Sequence, residues 1–247
     1  MRVLVVGGSG HVGRLVLPML AQNHTLRVFD LRPPHESSLE YVQGNACDFA
    51  AVEQAAQGMD ALLYMAMGRY VKVGLPYNQN IDGVTSSLDA NVKGLYIALQ
   101  AAHSAGISHA VYTSSMSIYQ EATLPTRYFQ DEEITPDATD LYGFTKRLGE
   151  EICRNTCRER GMTINVLRLC WPVSKERWLA ETRIGVPTFA TADEDLARAL
   201  HAALERRFVG FQAFMISGDY SQKYMNLSKA KRLLDWEPLL RPTLAAE

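Results

Sequence analysis

The sequence has almost no net charge and no long hydrophobic run. Its 247 residues include 25 Lys and Arg against 27 Asp and Glu, which gives a formal net charge of −2. Domains that bind nucleic acid present clustered basic side chains to the phosphates, so this balance argues against a nucleic-acid partner. A membrane span needs about 20 consecutive apolar residues, and no run approaches that length, so we expect no membrane partner. An apolar run that begins at Arg2 also leaves no room for a signal or transit peptide.

Cysteine is scarce as well. The four cysteines, Cys47, Cys153, Cys157 and Cys170, show neither the spacing of a disulfide framework nor that of a zinc site. Cys153 and Cys157 lie four residues apart on a predicted helix, so they share one face, where two reduced thiols are the simplest interpretation. We therefore predict that the chain holds no metal ion and works in the cytoplasm, where thiols stay reduced.

What the sequence does contain is an alternation of short apolar runs with helical patterns. The apolar runs predict strands at 2–6, 25–30, 40–43, 61–66, 109–114, 163–169 and 213–217, and the helical patterns predict helices at 11–21, 49–57, 84–105, 141–160 and 193–206. Such an alternation predicts an α/β fold of the Rossmann type, with a doubly wound parallel sheet. We assign residues 1–170 to this dinucleotide-binding part. Residues 171–247 break the alternation and predict a small C-terminal substrate lobe, interleaved with late sheet elements of one compact domain.

A glycine-rich turn follows the first predicted strand. In "VVGGSGHVGR", Gly7, Gly10 and Gly13 lie three residues apart, between an apolar strand and an amphipathic helix. The free N–H groups of a helix N-terminus bind anions, and glycine lets a pyrophosphate approach them. Asp30 ends the second strand, where a carboxylate accepts hydrogen bonds from ribose hydroxyls and repels a 2′-phosphate. This favours NAD over NADP, although Arg32 softens the preference. The alternative is a structural turn beside a surface aspartate.

A tyrosine, a lysine and two serines are the candidate catalytic groups. Tyr142 and Lys146 lie four residues apart at the start of a predicted helix and so share a face. Ser114 and Ser115 end a predicted strand, at the sheet edge where ligands bind. Hydride transfer at an alcohol carbon requires proton transfer at its oxygen, and a nearby ammonium lowers a tyrosine pKa of about 10 towards the range of a base. Only one serine is needed, and each group has a purely structural alternative on a surface or a strand end.

In order along the chain, these segments resemble the motifs of a known family. They are "GGSGHVG", "NACDFAAVEQAAQGMDALLYMA", "NVKGLYIALQAA", "VYTSSMSIY" and "YGFTK". As an ordered series they resemble the extended short-chain dehydrogenase/reductases, the NAD-dependent epimerase/dehydratase group. The resemblance covers about residues 1–170 and continues weakly into the two late helices. It implies an enzyme of sugar metabolism with this fold, and a homodimer paired through the helices that carry Asn91 and Tyr142.

The resemblance also implies a role for each matched residue of the cofactor site. The residues that would hold the pyrophosphate are Gly7, Ser9, Gly10, His11, Val12 and Gly13. Asp30, with Arg32 nearby, would hold the adenosine ribose, and Asp48 would contact the adenine with Ala46 or Cys47 beside it. The residues that would line the cofactor after the fourth strand are Met65, Ala66 and Met67. Tyr142 and Lys146 would complete the site, with Lys146 on the second ribose.

For catalysis, the resemblance implies Ser115 as the residue that holds the substrate oxygen, Tyr142 as the base, and Asn91 as support for the helix beside the site. Sugar-nucleotide dehydratases of this group carry Asp-Glu after the catalytic serine or threonine. Here Met116 and Ser117 stand there, so dehydratase chemistry is not expected.

The short tail points to a small substrate, and the overall layout resembles uronate dehydrogenases, which oxidise a sugar acid at C1. A carboxylate substrate needs a cation, for which we name Arg177 first, Arg183 second and Arg69 or Lys72 third, with Met116 also at the substrate. Each of these cations has the alternative of a solvated surface charge. Tyr70 and Tyr77 are candidates to stack on a sugar ring. Two alternatives remain open: a nucleotide-sugar epimerase or reductase, and a non-catalytic NAD(P)-binding regulatory protein.

Overall fold

A computed structural model describes residues 1–69, 80–120, 126–182 and 189–242 of the chain. Its strands are β1 (Arg2–Val6), β2 (Thr25–Asp30), β3 (Glu40–Gln43), β4 (Ala61–Tyr64), β5 (His109–Ser115), β6 (Thr163–Leu169), β7 (Pro172–Val173), β8 (Thr191–Ala192) and β9 (Phe211–Ile216). Seven of them form one sheet in the order β3-β2-β1-β4-β5-β6-β9, in which every neighbouring pair is parallel. Strands β7 and β8 pair separately. The predicted Rossmann-type α/β fold is confirmed.

Helices cover both faces of the sheet. They are α1 (His11–Leu20), α2 (Phe49–Ala56), α3 (Ile81–Leu88), α4 (Leu95–Ser104), α5 (Leu141–Arg160), α6 (Lys175–Thr182) and α7 (Asp193–Glu205). A π-helical stretch, Asp89–Gly94, joins α3 to α4 in one continuous helix. One apolar core packs α1 and α7 on one face, and a second packs α2, α4 and α5 on the other. Strands covered on both faces are apolar throughout, and for this reason the sequence pattern predicts β1 and β4.

The order of the strands sets the place of the site. The chain winds from β1 outward to β3 and then restarts at β4 on the other side of β1, so the order reverses between β1 and β4. In such sheets ligands bind in the crevice outside the carboxyl ends of the strands at this reversal. The segments that follow β1, β4 and β5 therefore meet at one edge. Among the described helices, none is both long and apolar enough to cross a bilayer.

Helix α5, which carries the candidate base, has well-formed ends. The Asp140 side chain caps its start by accepting a hydrogen bond from the backbone N–H of Gly143 at 2.9 Å. Gly161 ends it in the left-handed conformation, with a φ of 68° that disfavours residues with a side chain. The helix therefore begins and ends where the sequence predicts, at Leu141 and Arg160.

Candidate active site

Three glycines of the turn after β1 differ in what surrounds them. Gly7 has a φ of +85°, and a Cβ atom there would lie 2.2 Å from the Ala66 backbone. A Cβ on Gly13 would lie 1.9 Å from the Gly8 carbonyl oxygen. A Cβ on Gly10, by contrast, would meet only the Gly7 carbonyl oxygen, at 3.5 Å. Gly7 and Gly13 therefore shape the turn, whereas Gly10 leaves space in front of the start of α1.

That helix start suits an anion. No side chain among the described residues caps α1 at Gly10, and its first turn carries no acidic residue. The unpaired N–H groups of a helix start are ready partners for a phosphate. The donor groups and the space at Gly10 fit the pyrophosphate of a dinucleotide. The His11 ring is hydrogen-bonded to the Pro172 carbonyl oxygen at 3.0 Å, so among the groups of His11 the backbone N–H is the one left for an anion. Val12 is half-buried and packs against the core.

Asp30 connects the glycine turn to the end of β2. Its carboxylate accepts hydrogen bonds from the backbone N–H of Ser9 at 3.0 Å and from that of Arg32 at 3.2 Å. The Ser9 hydroxyl donates to the Arg32 carbonyl oxygen at 2.6 Å. These bonds hold Asp30 beside the turn, which is where a ribose-binding carboxylate belongs in this fold.

The remaining cofactor candidates lie after β3 and β4. Asp48 caps α2 by accepting from the Ala51 N–H at 3.1 Å, and the Cys47 thiol donates to the Asp89 carbonyl oxygen at 3.3 Å. Met65 is buried, and Met67 is 54 % exposed. Ala66 packs directly on Gly7. Strand β4 ends at Tyr64, two residues before the predicted end, and the Met65 N–H still donates to the Val6 carbonyl oxygen of β1 at 2.8 Å.

The structure distinguishes the two serines at the end of β5. The Ser114 hydroxyl is buried and donates to Glu150 at 2.8 Å. The Ser115 hydroxyl lies near enough to the Tyr142 phenol to lower its pKa, and it accepts a hydrogen bond from the Ser117 N–H at 3.0 Å. Successive residues of a strand face opposite sides, so only one of the pair can reach Tyr142. Ser115 is the one, as the resemblance implies.

Lys146 lies below Tyr142 but is bonded elsewhere. Its ammonium donates to the Thr113 carbonyl oxygen at 2.8 Å and lies 6.0 Å from the centroid of the Tyr142 ring. Burial lowers the pKa of Lys146 to about 8, against smaller raising effects of Cys153 and Glu150. Burial also raises the pKa of Tyr142, and the nearby Ser115 hydroxyl offsets this in part. The expectation that Lys146 lowers the pKa of Tyr142 is therefore wrong for the protein groups alone, because the ammonium is turned towards a backbone carbonyl.

Asn91 joins the two halves of the site. Its side-chain carbonyl accepts from the Gly68 N–H at 3.1 Å, and its amide donates to the Thr145 hydroxyl at 2.9 Å. The Thr145 hydroxyl in turn donates to the Tyr142 carbonyl oxygen at 2.9 Å. Asn91 is 1 % exposed and contacts other protein groups, so its side chain holds the helix beside the site in position, which is the support role that the resemblance implies.

Sequence reasoning missed a buried charge network behind the serines. The Arg168 guanidinium donates two hydrogen bonds to the Glu150 carboxylate, at 3.0 and 2.8 Å, and also bonds the Tyr119 hydroxyl and the Glu132 carbonyl oxygen. Arg168 and Glu150 have side chains 0 % and 3 % exposed. The signal in the sequence was an arginine inside the apolar strand "TINVLRL", since an arginine is buried only when it is paired.

The structure gives little support to the candidate substrate-binding residues. Met116 is 1 % exposed within the core, so its assignment to the substrate is wrong, because its side chain fills space under the sheet edge. Arg177 is 60 % exposed and pairs with Glu181 of its own helix at 2.7 Å. Arg69 is exposed, and its backbone bonds Ser86 and Ser87. Four further candidates lie outside the described residues: Tyr70, Lys72, Tyr77 and Arg183.

Comparisons with known proteins match most of this chain. A model of the NAD dependent epimerase/dehydratase family matches residues 3–190. The L-arabinose 1-dehydrogenase (NAD(P)(+)) of Haloferax volcanii is 23% identical over 258 residues, which cover 96% of each chain. Uncharacterized protein y4nG of Sinorhizobium fredii is 32% identical over 168 residues, which are 67% of this chain and 39% of y4nG. The chain thus spans well under half of y4nG and nearly all of the arabinose dehydrogenase.

A solved structure shows the same fold. A variant of the uronate dehydrogenase from Agrobacterium tumefaciens, in complex with NAD, superposes with a TM-score of 0.75 at 23% identity. The superposition covers 96% of this chain and 84% of that chain. At this identity the likeness speaks for the fold, and the function has to be argued from the site itself.

Proposed function

This chain belongs to the NAD dependent epimerase/dehydratase family, and we propose that it is an NAD-dependent oxidoreductase acting on a small sugar or sugar acid. It would move a hydride to or from the alcohol or carbonyl carbon, with Tyr142 as the base. The family and the sugar dehydrogenase relative place it among NAD-dependent enzymes of the dehydrogenase/epimerase type.

One observation carries the proposal: the nucleotide turn and the catalytic helix are linked through contacts of buried groups. Gly7 packs on Ala66, which precedes Gly68 by two residues. From Gly68, hydrogen bonds run through Asn91 and Thr145 to the backbone of Tyr142. A cofactor bound at the turn and a proton acceptor on α5 would therefore be held at a fixed separation, as hydride transfer requires.

Each residue of the site has a separate role in the proposed reaction. In the oxidation direction, the Ser115 hydroxyl holds the substrate oxygen, and the Tyr142 phenolate accepts the proton of that oxygen as the hydride leaves the carbon. Bound NAD would supply the carbon that accepts the hydride and, in its oxidised form, a positive charge that favours the phenolate. Lys146 would exchange its bond to the Thr113 carbonyl for the cofactor ribose and hold the ribose in place.

Asp30 supports NAD over NADP. Its carboxylate lies beside the Ser9 N–H at the end of β2, where a 2′-phosphate would meet a negative charge. Arg32 is exposed and follows two residues later, which leaves a cation within reach of this position. We expect NAD to bind at least about tenfold more tightly than NADP, a difference that corresponds to 1.4 kcal/mol.

The elements after β6 supply a candidate substrate lobe. After β6, the chain forms the β7–β8 pair and α6, then returns through α7 to add β9 to the main sheet. We propose that this lobe covers the substrate, with Arg177 as the candidate partner of a sugar carboxylate after release from Glu181.

We further infer a homodimer and a cytoplasmic location. Helices α3, α4 and α5 expose apolar side chains, namely Ile81, Leu88, Tyr96 and Phe144, each 40–59% accessible to solvent. A patch of this kind on adjacent helices fits a protein partner, and a second copy of the chain is the one that the resemblance implies. All four cysteines are unpaired, which suits a reducing compartment.

The proposed function is tested with purified protein, NAD and a panel of substrates. The panel contains galacturonate, glucuronate, L-arabinose and UDP-glucose, with NADH absorbance and product analysis as readouts. We expect NADH from at least one free sugar or sugar acid. Conversion of UDP-glucose alone would support the nucleotide-sugar epimerase or reductase, and NAD binding without turnover across the panel would support the regulatory protein.

A further inference from the structure

Two histidines and a glutamate meet at the edge of the sheet opposite the catalytic residues. His24 lies in the turn between α1 and β2, and His201 and Glu205 lie one turn apart on α7. His24 Nε2 lies 2.9 Å from His201 Nδ1, and His24 Nδ1 lies 3.8 Å from a Glu205 carboxylate oxygen. One donor atom from each residue lies within 4.8 Å of the other two.

The hydrogen bonding of His24 is incomplete. Its side chain is fully buried, and Nδ1 has no hydrogen-bond partner among the described residues. If Nε2 donates to His201, Nδ1 is a bare acceptor; if Nε2 accepts, Nδ1–H points at a carboxylate 3.8 Å away, too far for a hydrogen bond. Either tautomer leaves a buried polar atom unsatisfied, and such atoms in folded proteins call for an explanation such as a bound ion.

We propose that His24, His201 and Glu205 bind a divalent transition metal ion, most readily Zn²⁺. Two imidazoles and one carboxylate, with water as the fourth ligand, are a donor set that zinc accepts. Donors bound tetrahedrally at about 2.1 Å from one ion lie about 3.4 Å apart, so the three donor atoms, which lie within 4.8 Å of one another, would have to approach by up to about 1.4 Å. His201 is only partly buried and Glu205 is exposed, so both side chains have room for this movement.

The surroundings favour binding of the ion. A cavity of about 490 Å³, lined by Asn23, Ala197 and His201 among others, reaches one of the three residues from solvent. The prediction of no metal ion rests on the spacing of the cysteines. His24 and His201 are 177 residues apart in the sequence, so no local spacing indicates them.

The place of the site indicates a structural role. His24 directly precedes Thr25, the first residue of β2, so the site lies at the amino ends of the strands, away from Ser115 and Tyr142 at the carboxyl ends. A bound ion would tie the end of α7 to the turn after α1, two helices that already pack against each other. Binding to the folded state alone would stabilise the fold.

The test uses the full chain, stripped of metal by a chelator and then titrated with Zn²⁺ or Co²⁺. We expect one zinc per chain by elemental analysis after gel filtration, visible absorption bands with Co²⁺, and a rise in thermal midpoint of about 5 °C at zinc a hundredfold above its Kd. Because none of these readouts involves turnover, failure of the proposed catalytic function would leave them unchanged.

Variants of the two more accessible residues, Glu205 and His201, test whether these side chains bind the ion. Glu205→Gln and His201→Gln should each weaken zinc binding at least about tenfold. His103→Gln, a histidine in the last turn of α4 away from the site, is the matched control and should bind zinc as the natural chain does. Absence of stoichiometric zinc, or zinc binding that survives both ligand substitutions, would overturn the proposal.

Discussion

At Lys146, a charged ammonium lies almost entirely inside the protein, 3 % exposed, with the Thr113 carbonyl as its hydrogen-bond partner. Burial lowers the pKa of Lys146 from 10.5 to about 8. A lowered lysine pKa means that the folded state holds the charged form of Lys146 at a cost in stability.

The pH dependence of stability should reveal this cost. Below about pH 8 both the folded and unfolded states hold the Lys146 proton, so the full cost is present; it disappears as pH rises from about 8 to 10.5, where only the unfolded state keeps the proton. In urea titrations, the free energy of unfolding of the natural chain minus that of Lys146→Met should rise across this window, by at most about 3 kcal/mol. A flat difference would show that the ammonium is not destabilised.

Tyr142→Phe tests the base directly. The phenol lies near the Ser115 hydroxyl, and loss of the phenol hydroxyl should lower turnover at least about 100-fold, because proton transfer by a positioned side chain contributes about 10²–10⁴. NAD affinity, measured by calorimetry, should change little. Tyr220→Phe, at an exposed tyrosine, is the control and should keep full turnover. A Tyr142→Phe protein with near-natural turnover would remove Tyr142 from the mechanism.

Among the elements, β5, β6 and α5 are joined by the buried pair of Arg168 and Glu150. Glu150 accepts from Ser114, the neighbour of the proposed catalytic Ser115, and lies one turn beyond Lys146 on α5. The pair therefore holds the end of β5 against the helix that carries Tyr142. A single change in it acts on both the stability of the fold and the alignment of the site.

Glu150→Gln should be strongly destabilising. The amide keeps the shape but leaves the Arg168 guanidinium buried without a counter-charge, which costs about 3–5 kcal/mol. The adjacent Glu151→Gln is the matched control: Glu151 is 70% exposed and pairs with Arg154 at 3.4 Å, so its loss should change the free energy of unfolding by under about 1 kcal/mol. Equal urea midpoints for the two variants would contradict this assignment.

At the scale of the whole molecule, the exposed apolar side chains of α3, α4 and α5 remain to be covered. If two copies pair through this face, Tyr96→Lys should convert the dimer to a monomer, and light scattering should fall from twice 27.6 kDa to 27.6 kDa. Val209→Lys is the control, because Val209 is 95% exposed between α7 and β9 and should leave the mass unchanged. A natural chain of 27.6 kDa in solution would disprove the dimer.

The sequence by itself determined the fold class and the place of the cofactor turn. Buried parallel strands are apolar throughout, so the apolar runs alone predict β1 and β4. The glycines Gly7, Gly10 and Gly13 lie within one short turn, so their spacing can be recognised locally. The bounds of α5 were predicted to the residue because Asp140 and Gly161 act locally as caps. The family resemblance pairs Ser115 with Tyr142, and the Ser115 hydroxyl is near enough to lower the pKa of Tyr142.

Only the tertiary structure decided what lies far apart in the sequence. It turned Lys146 towards the Thr113 carbonyl and buried Met116 in the core, because both depend on packing between elements that no local pattern encodes. It also brought Arg168 to Glu150 and His24 to His201. Charge pairing across a fold has no sequence period, so these contacts become visible only when the sheet and its helices are assembled.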